Sequence, residues 1–384
     1  MNKIINIRDA IRGRIPDLEP PPIKTEPITT IGQVIRAQKH RTNPPVRNRK
    51  IIKSNNEPKY IHRHYLNHVL KKDMWKGHRC FIIGGGKSLS NFDWSNLDGE
   101  LVIGINRAYE MGDWAVNVGM DSDLNVLFEN GSYGNISKER WNSFAGARAW
   151  FTDSNLEFPP ADESHRYNNY VIEPAGRTEF PLDNPGRLSA AKNSGYLALN
   201  LACVLGANPI YMLGFDMYGN GSGMQAWWHN GYDESRIQAD SVYDGMIKDF
   251  TELKPRLDSL GIEVINLNKK SRLTCFKRKS WSESKIVKVR RPTVVTTISS
   301  KSDENYADEL KFSAALYGLK CYILNDSKPN AINRVARENN NDVLWLNPRS
   351  RFTKYPSEFD NCPEDIDMDN LTYIRKLNNN ADKS

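Results

Sequence analysis

Apolar runs of three to six residues, each followed by glycine or a polar residue, recur along the middle of the sequence. Their lengths and bounding turn residues are typical of buried strands, and helical patterns lie between several of them. Such an alternation predicts an α/β fold with a Rossmann-like, doubly wound and mostly parallel sheet. The strands predicted in this way span residues 80–83, 101–105, 114–119, 209–213 and 261–267.

Two helices are predicted within the same region. Residues 196–205 carry small and apolar side chains at i, i+3 and i+4 spacing, which predicts a buried helix. Asn193 or Ser194 is its expected N-cap, and Gly206 is its expected stop. Residues 240–260 have the pattern of an amphipathic helix.

Glycines and polar residues follow the predicted strands, at the edge where doubly wound sheets bind their ligands. Glycine lets a phosphate approach backbone N–H groups closely, so this recurrence predicts a nucleotide site. Neither the G-x-G-x-x-G nor the G-x-x-x-x-G-K-[ST] motif is present, and a plain tight turn stays an alternative for the glycine run. The residues at these ends are Gly84, Gly85, Gly86, Lys87, Ser88, Asn106, Asp121, Asp123, Gly214 and Asp216, and Asn193, Ser194 and Gly195 open the buried helix.

His229 follows two tryptophans in a loop that comes after a glycine-rich segment. A histidine in a loop over the strand ends fits a catalytic general acid or base. The alternative is an aromatic surface loop whose histidine bonds to a backbone carbonyl.

Metal ligation is weakly indicated. Asp121 and Asp123 could hold Mg²⁺ against bound phosphates, or could cap the turn that follows their strand. His62, His64 and His68 have helical spacing but stand in a basic segment that repels cations, so no protein-held metal centre is predicted.

Charge divides the 384-residue chain. Residues 1–79 carry 18 Lys and Arg against 6 Asp and Glu, together with many prolines, while the whole chain has a formal charge of +7. This composition predicts an extended basic arm, and a second basic stretch at 277–291 predicts a linker. Both could contact DNA, or could serve as a solubilising tail and a hinge. The predicted domains are therefore 80–276 and 292–384.

Composition also bears on the cellular location expected for the protein. The N-terminus lacks the apolar core of a secretory signal, and no apolar run reaches the length of a membrane span. The five cysteines form no C-x-x-C pair, which favours reduced thiols over disulfides or a zinc site. We therefore expect a cytoplasmic protein without a membrane partner; no oligomeric state is predicted.

Several spaced blocks resemble the DUF115, or MptE-like, family, which is frequent in bacteriophage genomes. These blocks are FIIGGGKSLSNFDW, VIGINRAYEMGDWA, NSGYLALNLACVLGANPIYMLGFDM, WWHNGY and GIEVINLNKKSRLTCF, together covering residues 80–276. The archaeal branch of that family is a 6-hydroxymethyl-dihydropterin diphosphokinase. A phage-encoded member would work in the host cytoplasm.

The same layout is similar to the family 42 sialyltransferases, which have a Rossmann-like nucleotide-sugar fold. That resemblance implies Gly84, Gly86 and Ser88 near the phosphates, Asn106, Ser194 and Gly195 at the nucleotide, and Asp216 at the ribose or a cation. It implies His229 as the acid or base. The proline that this family has before Ser-Leu is Lys87 here, which could add a phosphate contact or mark a different ligand.

Residues 292–384 look like half of a GT-A nucleotide-sugar domain. The pattern predicts strands at 292–298, 320–324 and 342–346 and helices at 307–317 and 330–338. The metal-binding Asp-x-Asp of GT-A enzymes is absent, so an accessory role is expected.

Three functions follow from these observations. The leading one is a glycosyltransferase that uses a CMP- or UDP-type nucleotide sugar, with a modified DNA base or a glycan as acceptor. The second is a diphosphokinase that requires ATP and Mg²⁺. The third is a non-catalytic phage assembly or nucleic-acid-binding protein.

Overall fold

The architecture comes from a computed structural model. It describes residues 64–151, 168–176, 179–191, 193–219, 227–229, 232, 238–289, 291, 293–298, 301–325, 343–346, 348, 350–352 and 374–376. These residues belong to one compact unit, Tyr60–Ser384. Most of the predicted basic arm (residues 1–63) and the predicted helix 330–338 lie outside the described residues.

Among the described residues, the main sheet has nine strands, all parallel, in the order β6-β5-β4-β3-β2-β1-β7-β8-β9. Together with its flanking helices it forms the predicted Rossmann-like doubly wound α/β fold. The strands are β1 (Cys80–Ile83), β2 (Leu101–Ile105), β3 (Val116–Gly119), β4 (Ala147–Phe151), β5 (Asn169–Pro174), β6 (Arg187–Leu188), β7 (Ile210–Leu213), β8 (Val264–Asn266) and β9 (Lys277–Arg278).

The order of the strands reverses between β1 and β7. The chain adds β2 to β6 on one side of β1 and then returns to place β7 on the other side, with Ile83 paired to Leu213. Loops that leave neighbouring strands in opposite directions open a crevice at the carboxyl edge. The fold therefore places its ligand-sized opening beside the ends of β1 and β7.

In the described part of the chain, five α-helices connect or cover the strands. α3 lies entirely in the core, and every one of its residues is buried. Of the two predicted caps, Asn193 is the one observed, because its Oδ1 accepts from the Tyr196 N–H at 2.8 Å. Gly206 follows α3 with φ of +78°, as expected of a helix stop. The helices are α1 (Ser122–Glu129), α2 (Asn135–Ser143), α3 (Ser194–Val204), α4 (Asp240–Ser259) and α5 (Lys301–Ala315).

The C-terminal region has a parallel three-stranded sheet and an antiparallel pair. Its helix α5 begins at Lys301, so the predicted start at 307 is wrong. The apolar pattern begins only at Ala307, whereas Asp303 and Glu304 in the first turn complement the positive helix terminus. The strands are β10 (Thr293–Thr297), β11 (Cys321–Leu324) and β12 (Val343–Trp345), in the order β11-β10-β12, followed by β13 (Ser350–Phe352) paired with β14 (Ile374–Lys376).

This region shares a hydrophobic core with the main sheet. Val294 and Leu310 belong to the same buried cluster as α3. The Trp75 indole donates to the Leu316 carbonyl at 3.1 Å, and Lys320 pairs with Asp98 at 2.7 Å. The domain boundaries of the sequence analysis stay predictions.

Among the described residues, no helix offers the stretch of uncharged, apolar sequence that a bilayer crossing requires. The described cysteines are free thiols, with Cys80 and Cys203 buried.

Candidate functional site

A cavity of about 580 Å³, which we name the switch-point cavity, opens at the carboxyl edge of the sheet, where the strand order reverses. Most of the predicted site residues line it together, although they come from distant parts of the sequence. Lys87 and Ser88, both described, do not line it. The predicted residues on its wall are Gly84, Gly85, Gly86, Asn106, Asp121, Asn193, Ser194, Gly195, Gly214, Asp216 and His229.

The glycine run joins the two loops that flank the cavity. The Gly84 N–H donates to the Leu213 carbonyl at 2.7 Å, and the Gly86 N–H donates to the Gly214 carbonyl at 2.8 Å. A Cβ on Gly86 would lie 2.5 Å from the Gly214 oxygen, which is closer than real Cβ contacts allow. The glycines are therefore required by close packing, and these two N–H groups are already used inside the protein.

Trp227 closes one side of this turn. It forms an antiparallel bridge with Gly86, and the Trp228 N–H donates to the Gly85 carbonyl at 3.0 Å. A Cβ on Gly85 would lie 3.2 Å from the Trp227 ring. Because Gly85 has no side chain, the loop that carries Trp227 and Trp228 lies directly on the glycine turn.

Asp216 fastens three loops at the same edge. Its carboxylate accepts from the Ser88 N–H at 2.8 Å, from the Ser88 hydroxyl at 2.5 Å and from the Asn268 amide at 2.7 Å. A carboxylate offers about four lone-pair positions, so these three bonds use most of them. Its predicted contact with a ribose or cation stays a prediction. Asn268 lies 52 residues away from Asp216, so no local sequence pattern indicates this contact.

Replacing Asn268 with alanine should destabilise the fold by about 1–3 kcal/mol, because the buried Asp216 carboxylate loses a donor. Urea unfolding measures this directly. Asn142→Ala, at an exposed position of α2, is the matched control and should change stability by no more than about 0.5 kcal/mol. Equal stabilities for the two variants would show that the Asp216 contacts carry little of the fold's stability.

The N-terminus of α3 lies at the cavity wall, and its cap residue Asn193 carries a buried donor. The Asn193 side-chain atom that accepts from the Tyr196 N–H must be the oxygen Oδ1, which identifies the other amide atom as the nitrogen Nδ2. Nδ2 is buried and has no partner among the described residues, and Asn193 is 8% exposed. The free N–H groups and partial positive charge of a helix N-terminus attract anions. This corner is therefore suited to a phosphate or another oxygen acceptor.

Ser194 and Gly195 shape the same corner. The Ser194 hydroxyl accepts from the Met120 N–H at 3.1 Å and so ties α3 to the end of β3. A Cβ on Gly195 would lie 2.6 Å from the Phe215 ring, so glycine is needed for the helix to start there.

Asn106 lies at the cavity wall and carries a buried acceptor. Its φ is +52°, in the left-handed region, where asparagine is among the tolerated residues. Its carbonyl accepts from the Asn117 amide at 2.9 Å. Its side-chain Oδ1 is buried and has no partner among the described residues. Asn106 and Asn193 therefore carry buried polar atoms of opposite type at the wall of one cavity, and neither atom has a partner among the described residues.

Arg107 forms a buried ion pair at the cavity wall. Its Nε and one terminal nitrogen donate to the two Glu110 oxygens at 2.7 and 3.0 Å. Its guanidinium lies over the Tyr133 ring, 4.9 Å from the centroid. The sequence pattern does not indicate a role for Arg107, although Arg107 follows Asn106 directly at the same strand end.

His229 is buried beside Arg107. Its ring packs edge-on against Trp228 and Tyr232, with centroid distances of 4.7 and 4.5 Å. Its Nδ1 lies 3.3 Å from a terminal nitrogen of Arg107. Burial first, and then the Arg107 charge, lower the pKa of His229 to about 3. The imidazole is therefore neutral at physiological pH, and its acid–base role stays a prediction.

The remaining wall is largely aromatic and apolar. Tyr243 and Met246 come from α4, where an amphipathic pattern cannot distinguish a face toward the core from a face toward a ligand. Burial raises the pKa of Tyr243. The further lining residues that sequence reasoning did not assign include Met120, Phe215, Met217, Tyr218, Trp227, Trp228, Tyr232, Tyr243 and Met246.

In the described part of the chain, no group of three or more His, Cys, Asp or Glu could hold a metal ion. Asp121 lies at the N-cap position of α1 and makes no side-chain cap bond. The side chain of Asp123 and the whole of His62 lie outside the described residues. A role for Mg²⁺ stays a prediction.

No protein-family model matches the chain, and no curated protein or solved structure compared with it matches either. The resemblance to the DUF115 family therefore stays a prediction.

Proposed function

We propose that the protein is a glycosyltransferase that uses a CMP- or UDP-type nucleotide sugar bound at the switch-point cavity. The observation that carries this proposal is the pair of unpaired polar atoms, a donor on Asn193 and an acceptor on Asn106, at the wall of one cavity. Unpaired buried polar atoms are costly, which makes them strong candidates for ligand contacts.

The two atoms suit different parts of a nucleotide. Asn193 Nδ2 and the α3 N-terminus would receive phosphate oxygens, since both favour negative charge. Asn106 Oδ1 would accept a hydrogen bond from a ribose hydroxyl or from an amino or imino group of the base. The nucleotide would then lie across the ends of β1, β2 and β3.

The aromatic wall suits the nucleoside and the sugar. Tyr243 and Phe215 lie on the cavity wall, with the Phe215 ring against Gly195 of α3, and Trp227 and Trp228 lie on it beside the glycine turn. Rings of this kind provide large apolar contact area to flat bases and sugar faces. A volume of about 580 Å³ falls in the range of small-molecule and cofactor sites.

In the transfer, the bond between the anomeric carbon and the donor phosphate oxygen breaks, and the phosphate leaves with the electron pair. The acceptor hydroxyl oxygen forms the new bond and releases its proton to a base or to solvent. Preorganised donors and positive charge near the leaving phosphate would lower this barrier. The α3 N-terminus would provide both through its free N–H groups and its partial positive charge.

A thermal-shift panel tests the proposal with CMP, UDP, GDP, ATP and representative sugar nucleotides, with and without Mg²⁺. We expect one pyrimidine nucleotide to raise the melting temperature without a metal. A ligand at a hundredfold its dissociation constant adds about 2.7 kcal/mol of stability. Asn106→Ala should lose this shift.

Other outcomes of the panel select the alternatives. A shift only with ATP and Mg²⁺ would indicate the diphosphokinase. Silence across the whole panel would contradict the transferase and favour the non-catalytic role.

The acceptor class stays a prediction, with DNA and a glycan as the candidates. The stretch 277–291 begins with the edge strand β9 and is fastened to the main sheet, because Trp281 packs against Phe81 and Phe92 at 5.7 and 5.3 Å. Exposed Lys277 and Arg278, with the half-buried Lys279, would face a polyanion from that position. Binding through these charges would weaken steeply with salt.

A further inference from the structure

Asn117 is a buried amide in the interior of the main sheet. It lies on β3, between β2 and β4, and none of its surface is exposed. Its side chain donates to the Asn106 carbonyl at 2.9 Å. Because a carbonyl only accepts, the donor atom is Nδ2 and the other amide atom is Oδ1. Oδ1 is buried and has no partner among the described residues, so this amide is costly for the fold and calls for an explanation.

Gly104 provides the space for this amide. It stands opposite Asn117 in the parallel pairing of β2 with β3. A Cβ on Gly104 would lie 2.5 Å from Asn117 Oδ1 and 2.9 Å from the Trp114 ring, which is closer than real Cβ contacts allow. Tight packing therefore holds the amide in place, with its donor on the turn that follows β2.

Asn106 opens that turn in a backbone conformation that most residues avoid. Its φ is +52°, and it begins a short 3-10 helix, Asn106–Glu110, directly after β2. The left-handed region costs an L-residue free energy, so a residue stays there only when its surroundings hold it. The bond from Asn117 Nδ2 to the Asn106 carbonyl is such a restraint. Because the backbone sets the direction of the bond from Cα to Cβ, the same restraint determines where the Asn106 side chain lies.

We propose that Asn117 is a positioning residue for the bound nucleotide, although it does not line the switch-point cavity. Its amide holds Asn106 in the left-handed conformation, and that conformation places the Asn106 side chain at the cavity wall. The ligand contact rests on the proposed function, in which Asn106 Oδ1 accepts from the ribose or the base. The restraint on the Asn106 backbone does not depend on that function.

Glycine and alanine at position 106 test the restraint without a ligand. Glycine adopts a positive φ without steric cost, whereas alanine does not. With Asn117 intact, we expect Asn106→Gly to melt at a higher temperature than Asn106→Ala. Equal melting temperatures would overturn the proposal.

The same pair is then compared in chains that also carry Asn117→Leu. Leucine has a shape similar to that of asparagine and removes the donor and the unpartnered oxygen together. We expect the difference between glycine and alanine to shrink, because residue 106 no longer has to keep a positive φ. A merely structural Asn117 would lower both melting temperatures and leave their difference unchanged, which would overturn the proposal. Asn117→Val, with a smaller strand-forming side chain, is the second variant if Asn117→Leu does not fold.

A crystal structure of the Asn117→Leu protein measures the backbone directly. We expect the φ of Asn106 to become negative and its side chain to leave the position it holds in the wild type. A φ that stays near +52° would overturn the role of Asn117.

Nucleotide binding connects the restraint to the site. We expect the affinity of Asn117→Leu for CMP or UDP to fall by about 10-fold or more, measured by isothermal titration calorimetry. Asn169→Leu is the matched control, because Asn169 is a buried asparagine of β5 that also donates through Nδ2 and also has an unpartnered Oδ1 among the described residues. Asn169 does not line the cavity, and its variant should bind as the wild type does.

Undiminished binding by Asn117→Leu would overturn the positioning role. If neither nucleotide binds the wild-type protein, the proposed function fails. The melting temperatures and the φ of Asn106, both measured without ligand, then still decide whether Asn117 holds the Asn106 backbone.

Discussion

Replacing Asn193 with aspartate should abolish nucleotide binding and leave the fold intact. Aspartate keeps an oxygen that can accept from the Tyr196 N–H, and its charge suits a helix N-terminus. It removes the buried Nδ2 donor and places a negative charge where a phosphate would lie. Affinity for CMP or UDP should fall by about 100-fold or more. Isothermal titration calorimetry measures the binding, and thermal unfolding checks that the fold is retained.

Asn142→Asp is the matched control, because it makes the same chemical change at an exposed position of α2. It should bind nucleotide as the wild type does. If Asn193→Asp bound nucleotide as tightly as the wild type, the α3 N-terminus would not be part of the phosphate site.

The wild-type protein should lose stability relative to His229→Gln as the pH falls from about 6.5 toward 4. The unfolded state takes up a proton near the ordinary histidine pKa, whereas the folded state resists protonation down to about 3. Because the unfolded state binds more protons in this window, stability rises with pH and is lost on acidification. The difference should grow by about 1 kcal/mol per pH unit. Urea unfolding between pH 4 and 7.5 measures it.

His68→Gln is the control for this series, because His68 is exposed and lies away from the cavity. It should follow the pH dependence of the wild type. Parallel curves for the wild type and His229→Gln would show that His229 gains its proton equally in both states.

The sequence predicts the strands at the centre of the sheet because they are apolar without interruption. It misses β4 because Arg148 stands in the middle of that strand. In the structure this arginine is buried, donating to the Trp141 carbonyl at 2.7 Å and lying over the Trp141 ring at 4.9 Å. These contacts involve a residue of α2 and have no signal in the pattern of the strand itself.

The candidate site is predictable in its position and less so in its contacts. Glycines and polar residues at strand ends predict the ligand-binding edge of the sheet, because the carboxyl ends of parallel strands lie together at that edge. The contact between Arg107 and His229 joins residues 122 positions apart, and the contact between Asn268 and Asp216 joins residues 52 apart. Such pairs depend on how the loops pack, which local spacing does not encode. The glycine run shows the same limit, since its close packing is evident only when Gly214 and Trp227 are in place.

A crystal structure of the protein with CMP or UDP tests the central claim most directly. The account predicts the nucleotide in the switch-point cavity, with a phosphate oxygen within hydrogen-bond distance of Asn193 Nδ2 and with a base or ribose donor on Asn106 Oδ1. A nucleotide bound elsewhere, or bound with its phosphate away from the α3 N-terminus, would contradict it.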